Sequence, residues 1–215
     1  VINYEVGLKG DFLDRTLRLN AAAFYMDYTD LQIVRFGPTA DNPDFGQFST
    51  ENVGEAEIAG VEAEITWAPS ENFRLFATYA YLDTAVDDFT INGIDPTAIP
   101  GNSDDLRQAP ENKYSLGGVI DFPLAGGSMI SLRADYYHTD EQINDYINQK
   151  TVIDAFDLLD ARVSWMSASG NWQVALWGKN LTDEEWVSHS YTIGPGVIGV
   201  WGAPALYGVS VSYEM

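Results

Sequence analysis

Apolar and polar residues alternate along most of this chain, and this period of two constrains the fold more than any other feature. Successive side chains of a β-strand point to opposite faces, so such alternation predicts strands with one apolar and one polar face. The segment from Met129 to Tyr136 shows the pattern clearly. We predict an all-β protein with about nine antiparallel strands, at residues 2–10, 16–34, 48–67, 73–84, 107–122, 129–143, 151–166, 172–187 and 204–215.

The connections between these strands alternate in length. The short ones are rich in Pro, Gly, Ser, Asn and Asp, the residues of tight turns, and lie at 11–15, 69–72, 123–128 and 167–171. The long ones lie at 36–47, 84–106, 144–150 and 188–203. Short turns at one edge and long loops at the other are typical of outer-membrane barrels, whose turns are periplasmic and whose loops are extracellular. Because nine is an odd number, these residues by themselves predict an open sheet with two edges.

Strand length and aromatic placement favour a membrane barrel over a soluble β-sandwich, which remains the alternative. Most predicted strands exceed the roughly 5–6 residues of globular proteins and reach the about 9–11 that a tilted membrane strand needs. Aromatic residues cluster near both strand ends, as they do where lipid headgroups meet hydrocarbon. They are Trp67, Phe73, Phe122, Trp165, Trp172 and Tyr213 beside the short turns, and Tyr25, Tyr79, Tyr81 and Tyr136 near the other ends.

Charge excludes some classes of function. The formal net charge of −21 and the sequence pI of about 4.1 argue against nucleic-acid binding, because such a surface repels phosphates. The absence of Cys removes disulfides and thiolate metal sites. On the predicted polar face, acidic and basic residues such as Glu62, Glu64, Arg133 and Arg162 point inward together. Their desolvation cost indicates a wet interior or a polar plug that pairs with them.

Several segments resemble one family. The segment 52–62, Asn-Val-Gly-Glu-Ala-Glu-Ile-Ala-Gly-Val-Glu, is similar to the N-x-G-x-A-x-x-x-G-x-E segment of TonB-dependent outer-membrane receptors. Residues 17–32, 109–114 and 178–186 resemble further segments of that family in the expected order, and 204–213 resembles its closing strand. The resemblance covers essentially the whole chain.

The resemblance implies that residues 1–215 are the C-terminal part of a 22-stranded barrel in the bacterial outer membrane. The plug domain and the N-terminal strands would lie outside these residues. It also implies active uptake of a scarce ligand, with outer-membrane lipid around the barrel and the TonB complex acting through the plug. The ligand class stays open between a ferric siderophore, haem, a vitamin and a carbohydrate. Neither an enzymatic activity nor a cofactor is implied.

Ligand contacts in this family come from the extracellular loops and the upper lumen. By position alone, the candidate contact residues are Arg35, Phe36, Phe45, Phe89, Arg107, Tyr146, Tyr191 and Trp201. The acidity of the loops disfavours a strongly anionic ligand. A passive porin with an open lumen and a standalone β-protein without a transport role remain as alternative functions.

Other patterns have plainer explanations. Residues 194–199 match G-x-G-x-x-G, but a strand and not a helix is predicted to follow, so a loop is favoured over a dinucleotide site. The acidic pairs at 87–88 and 104–105 share one polar loop, where a solvated surface is favoured over paired catalytic carboxylates or a calcium site. His138, with Tyr137, Asp140 and Glu141, is favoured as an interfacial histidine over a contact to a metal chelate. We find no catalytic constellation.

Overall fold

A computed structural model describes residues 1–39, 42–91, 94–149, 152–193 and 196–214. These residues form thirteen strands and one 3-10 helix, Pro96–Ala98. The strands are β1 (Ile2–Phe12), β2 (Leu17–Thr39), β3 (Asn42–Ser70), β4 (Phe73–Asp87), β5 (Asn112–Pro123), β6 (Met129–Thr139), β7 (Gln142–Ile143), β8 (Val152–Ile153), β9 (Phe156–Met166), β10 (Trp172–Lys179), β11 (Val187–Ile193), β12 (Gly196–Trp201) and β13 (Leu206–Tyr213). Within the described ranges, no helix has the length and apolarity needed to cross a membrane.

One antiparallel sheet contains nine of these strands, in the order β1-β2-β3-β4-β5-β6-β9-β10-β13. Strands β1 and β13 are its edges and do not pair with each other, so the described chain forms an open sheet, as predicted. The remaining strands form two separate pairs. The pair β11–β12 lies almost entirely within the predicted loop 188–203, whereas β7 and β8 come from the ends of the predicted strands 129–143 and 151–166. The total therefore exceeds the predicted number of about nine.

The register of the sheet keeps apolar residues together on one face, which we call the apolar face. Across four neighbouring strands, Leu132 lies opposite Val163, Val163 opposite Leu176, and Leu176 opposite Val209. These side chains are exposed, and Leu176 keeps 60% of its surface accessible. The predicted alternation is confirmed, since the odd and even positions of the strands separate into two chemically different faces.

The opposite side of the sheet, the polar face, carries residues that hydrogen-bond across strands. The Asn20 side-chain amide donates to Glu64 over 3.1 Å. The hydroxyl groups of Thr78 and Ser115 lie 2.6 Å apart. A groove of about 820 Å³ runs along this face, and its lining includes Glu5, Lys9, Asn20, Glu62, Glu64 and Lys113.

Some strand boundaries differ from the prediction because individual residues leave the extended conformation. Strand β10 ends at Lys179 and not at 187, since Asn180 and Asp183 have φ angles of 49° and 53°. Strand β5 begins at Asn112 and not at 107, because Gln108 has a φ of 59° and Pro110 has no N–H to donate. In contrast, β2 and β3 continue their pairing to Thr39 and Asn42, where a loop was predicted.

Two further differences concern the strands on either side of the predicted loop 144–150. The predicted strand 129–143 is interrupted after Thr139, and its last residues, Gln142–Ile143, form β7. The predicted strand 151–166 is likewise divided into β8 and β9. Strands β7 and β8 pair with each other inside the loop, so this connection is a structured segment and not an extension of the main sheet.

Candidate functional site

Two long loops pack together and, with residues of β2, β3 and β4, form a hydrophobic core. They are the 88–111 loop, between β4 and β5, and the 140–155 loop, between β6 and β9. We call this cluster the loop core. Its buried members are Ile33 of β2, Ala56 of β3 and Val86 of β4, Phe89 and Ile91 from the first loop, and Ile143 and Tyr146 from the second.

Hydrogen bonds between the two loops fix the loop core. The Gln149 side chain accepts from the Ser103 N–H over 2.6 Å and donates to the Ser103 carbonyl over 2.8 Å. The Asn102 amide donates to the Tyr146 carbonyl over 3.1 Å. Gln149 is buried, so these bonds satisfy a group that would otherwise be costly to bury. These contacts hold the loops in one relative position.

A cavity of about 650 Å³ lies between these loops and the end of β4. Its lining is acidic and includes Asp83, Asp105, Glu111, Asp140 and Glu141. None of the described residues that line this cavity is basic. Chemically, the cavity offers hydrogen-bond acceptors and negative charge, which favour a ligand with donors or positive charge over an anion.

Two loop groups show how the local environment tunes protonation. Asp95 precedes the 3-10 helix and accepts hydrogen bonds from the Thr97 hydroxyl and N–H at 2.7 and 2.9 Å, which hold the pKa of its carboxyl below the usual range. Burial in the loop core raises the pKa of the Tyr146 hydroxyl. Asp95 therefore stays charged at neutral pH while Tyr146 stays neutral.

Three of the predicted contact residues lie together in this region. The rings of Phe89 and Tyr146 are 4.6 Å apart, and the exposed Arg107 guanidinium lies 5.5 Å from the centre of the Tyr146 ring. Phe89 is only 2% exposed and Tyr146 7%, so both rings fill the loop core and present little surface to a ligand. Trp201, at the end of β12, is 67% exposed and is not a member of the loop core.

The other predicted contact residues fall where side chains are not described. The backbones of Arg35, Phe36 and Phe45 belong to the paired ends of β2 and β3, and the backbone of Tyr191 belongs to β11. The side chains of these four lie outside the described part of the structure. Their role in ligand binding stays a prediction.

One junction was not predicted from the sequence. The Gln108 side-chain amide donates to Asn144 over 2.9 Å and lies 3.3 Å from the Nδ1 atom of His189. Gln108 thereby joins the 88–111 loop, the 140–155 loop and β11. Its partners are 36 and 81 residues away along the chain. No local pattern indicates contacts over such separations.

The remaining sequence patterns gain no chemistry from the structure. Residues 196–199 of the G-x-G-x-x-G pattern start strand β12, and the first two residues of that pattern lie outside the described ranges. No helix follows it before β13 among the described residues, and the mechanism of the motif needs one. Within those residues, no group of three or more His, Asp or Glu side chains is arranged to hold a metal ion.

Comparison with known proteins identifies the family. A family model described as TonB dependent receptor-like, beta-barrel matches residues 1–181. The chain belongs to the TonB-dependent receptor family. This result confirms the resemblance of the strand segments and the predicted location in the bacterial outer membrane.

Curated relatives of this receptor chain are receptors for metal chelates. The chain is 27% identical over 203 residues to the metal-pseudopaline receptor CntO of Pseudomonas aeruginosa, covering 94% of this chain and 25% of that protein. It is 27% identical over 217 aligned positions to the ferric-pyoverdine M114 receptor PbuA of a Pseudomonas species, covering 99% of this chain and 24% of that protein. The chain thus spans about a quarter of the length of these relatives.

Solved structures of TonB-dependent receptors share the fold. The ferric yersiniabactin uptake receptor FyuA of Yersinia pestis superposes with a TM-score of 0.78 at 16% identity, covering 99% of this chain and 29% of that one. The siderophore receptor PiuA of Acinetobacter baumannii superposes with a TM-score of 0.76 at 20% identity, covering 98% and 28%. The open sheet is therefore similar to part of a receptor barrel.

Proposed function

We propose that this chain is the C-terminal part of the barrel of an outer-membrane receptor that imports a metal chelate such as a ferric siderophore. In the complete receptor, a 22-stranded barrel encloses a plug, and the TonB complex supplies energy through that plug. The chain contributes ligand contacts and part of the barrel wall, and it has no enzymatic role. The match of the receptor-barrel family over residues 1–181 is the observation that carries this proposal.

The two faces of the sheet support a barrel wall in lipid. The exposed apolar face needs contact with acyl chains, because in water it would form an aggregation-prone surface. The polar face carries charges of both signs, such as Glu62 and Lys113, which a water-filled or plugged lumen accommodates. A passive porin would share both properties, so a test of energy dependence separates the two functions.

Uptake of a named chelate tests the proposal. Cells that express the complete receptor are supplied with ferric pyoverdine or a metal–pseudopaline complex, carrying radioactive metal, and accumulation is measured with and without functional TonB. We expect TonB-dependent accumulation of at least one chelate. A steady ion conductance of the purified receptor in a planar bilayer, together with TonB-independent accumulation, would instead identify a passive pore.

We further propose that Arg107 and Trp201 contact the ligand. Both are exposed, whereas Phe89 and Tyr146 are committed to the loop core. Of the 11 basic residues, only Arg107 and Lys150 lie by chain position in the 88–111 and 140–155 loops, and the acidic lining of the cavity beside these loops disfavours a strongly anionic chelate. Chelate affinity of the complete receptor, measured for Arg107→Ala and Trp201→Ala, should fall, while Arg15→Ala in a short turn should leave it unchanged. Unchanged affinity in both loop variants would remove these two residues from the site.

A further inference from the structure

His138 lies on the apolar face at the end of β6, where the ends of the 88–111 and 140–155 loops meet. We call these loop ends, at which each loop joins the sheet, the feet of the loops. Its Nδ1 atom is 2.6 Å from a carboxylate oxygen of Asp157, and its Nε2 atom is 2.9 Å from a carboxylate oxygen of Asp140. Asp140 is the first residue of the 140–155 loop, and Asp157 is the second residue of the strand that follows it. The imidazole ring therefore bridges both ends of this loop.

The same carboxylate extends the junction to the other loop. A second oxygen of Asp140 accepts hydrogen bonds from the backbone N–H and the side-chain amide of Asn112, at 3.0 and 2.8 Å. Asn112 is the first residue after the 88–111 loop, and its side-chain oxygen accepts from the Tyr79 hydroxyl over 2.9 Å. Through Asp140, His138 is thus connected to both loops that build the loop core.

The geometry determines the protonation state of the ring. An ionised carboxylate only accepts hydrogen bonds, so a nitrogen that faces one must carry a proton. Both ring nitrogens of His138 face carboxylates, and only the imidazolium form has two N–H groups. Hydrogen bonds from His138 and Asn112 hold the pKa of the Asp140 carboxyl below its usual range, so this partner remains ionised at neutral pH.

The titratable groups around the ring belong to three strands and one loop. They are Tyr114 of β5, which stacks on the imidazole at 4.7 Å, Tyr136 of β6, Asp157 of β9 and Asp140 of the loop. The Tyr136 hydroxyl donates to Asp157 over 2.6 Å and so supports its negative charge. Lys113 lies on the polar face against the Tyr137 ring, 5.8 Å from its centre, and does not replace the positive charge of His138.

We propose that His138 is a proton-operated clasp that fastens the feet of the 88–111 and 140–155 loops. Protonated, the ring donates to both carboxylates and closes the clasp. Neutral, it has one N–H for two carboxylates, so one nitrogen lone pair faces an anion and that contact opens. The closed state is present at pH values below the pKa of the ring in the receptor, and is lost as the pH rises through that value.

The effect of the clasp is confined to the loops. His138, Asp140 and Asp157 retain 19%, 31% and 53% of their side-chain surfaces, and pairs with this exposure contribute little to global stability. The feet of a loop, however, control its local opening, which requires less free energy than unfolding of the sheet. Loop mobility is therefore the property to measure, not the unfolding of the whole barrel.

Site-directed spin labelling tests the clasp directly. The chain has no Cys, so an Ala155→Cys exchange in this part of the receptor places a nitroxide at the exposed foot of the 140–155 loop. In bilayers, we expect the label to become more mobile as the pH rises through the pKa of the ring, following a one-proton curve. His138→Gln should remove this transition. The matched variant His189→Gln, which exchanges the second histidine of the chain, should retain it.

Two results would overturn the clasp. One is a label whose mobility does not change with pH in the otherwise unaltered receptor, and the other is a transition that persists in His138→Gln. If His138→Gln does not assemble, nitrogen NMR on receptor that carries only His189→Gln decides the question. Both nitrogens of His138 must then be protonated at pH 6, and a neutral ring at that pH would exclude the clasp.

Discussion

The nine-stranded sheet, which we call the wall, and the loop core place apolar side chains in opposite environments. In the wall, Val6 and Leu176 keep 72% and 60% of their surfaces accessible, whereas in the loops Phe89 and Ile153 keep 2% each. The wall is ordered by strand pairing, and in the proposed receptor its apolar side chains meet lipid. The loops instead bury their apolar side chains, as a soluble domain does. The two regions of one chain therefore follow different rules for substitution.

The largest expected effect is in the loop core. Phe89→Ala removes a ring that contacts Tyr146 at 4.6 Å and leaves a cavity, so we expect a loss of about 3–5 kcal/mol in the local stability of the loops. Hydrogen exchange of the 88–111 and 140–155 loops in the bilayer-embedded receptor measures it. Leu176→Ala on the apolar face is the matched control and should leave loop exchange unchanged. Equal exchange in the two variants would mean that the loops have no core of their own.

The second-largest effect is expected for a charge placed on the apolar face of the wall. Leu176 lies in the middle of β10 between Val163 and Val209, so Leu176→Arg places a charge near the centre of the bilayer. We expect a cost of about 2–4 kcal/mol, measured by denaturant unfolding in lipid vesicles. Gln173→Arg, on the polar face of the same strand, should cost much less. An apolar face that tolerates arginine equally well would not be in contact with acyl chains.

The smallest effect compares the two faces at neighbouring residues. A methyl group at Gly117 would overlap with the Phe76 ring, over which the Arg133 guanidinium lies at 5.0 Å. A methyl group at Gly118 would approach only the Arg74 carbonyl, at 3.7 Å. Gly117→Ala should therefore lower unfolding stability in vesicles by about 1–3 kcal/mol, and Gly118→Ala should change it by less. The reverse order would show that the polar face is the more loosely packed one.

The wall could be predicted from the sequence because its information is local. Alternation in a segment such as 129–136 defines both the strand and the side that each residue faces, and antiparallel pairing of neighbours then follows. The family segments at 52–62 and 178–186 added the class of protein. Strand ends were less well predicted, since departures such as the positive φ of Gln108 depend on single residues.

The loops could not be predicted in the same way. Gln149 meets Ser103 across 46 residues and Asn102 meets the Tyr146 carbonyl across 44, and neither contact leaves a periodic signal. The sequence therefore supports candidate contact residues by chain position alone. Phe89 and Tyr146 are buried, and their ring surfaces serve packing. Choosing candidate contact residues by type and position does not distinguish core residues from surface residues in loops that fold.

The composition of the loop core limits how such receptors can be re-engineered. Its residues come from both long loops and from β2, β3 and β4. Transplanting either loop alone onto another barrel would expose half of an interior without its counterpart. The two loops would therefore have to be transplanted together. The recipient strands would also need apolar residues that correspond to Ile33, Ala56 and Val86.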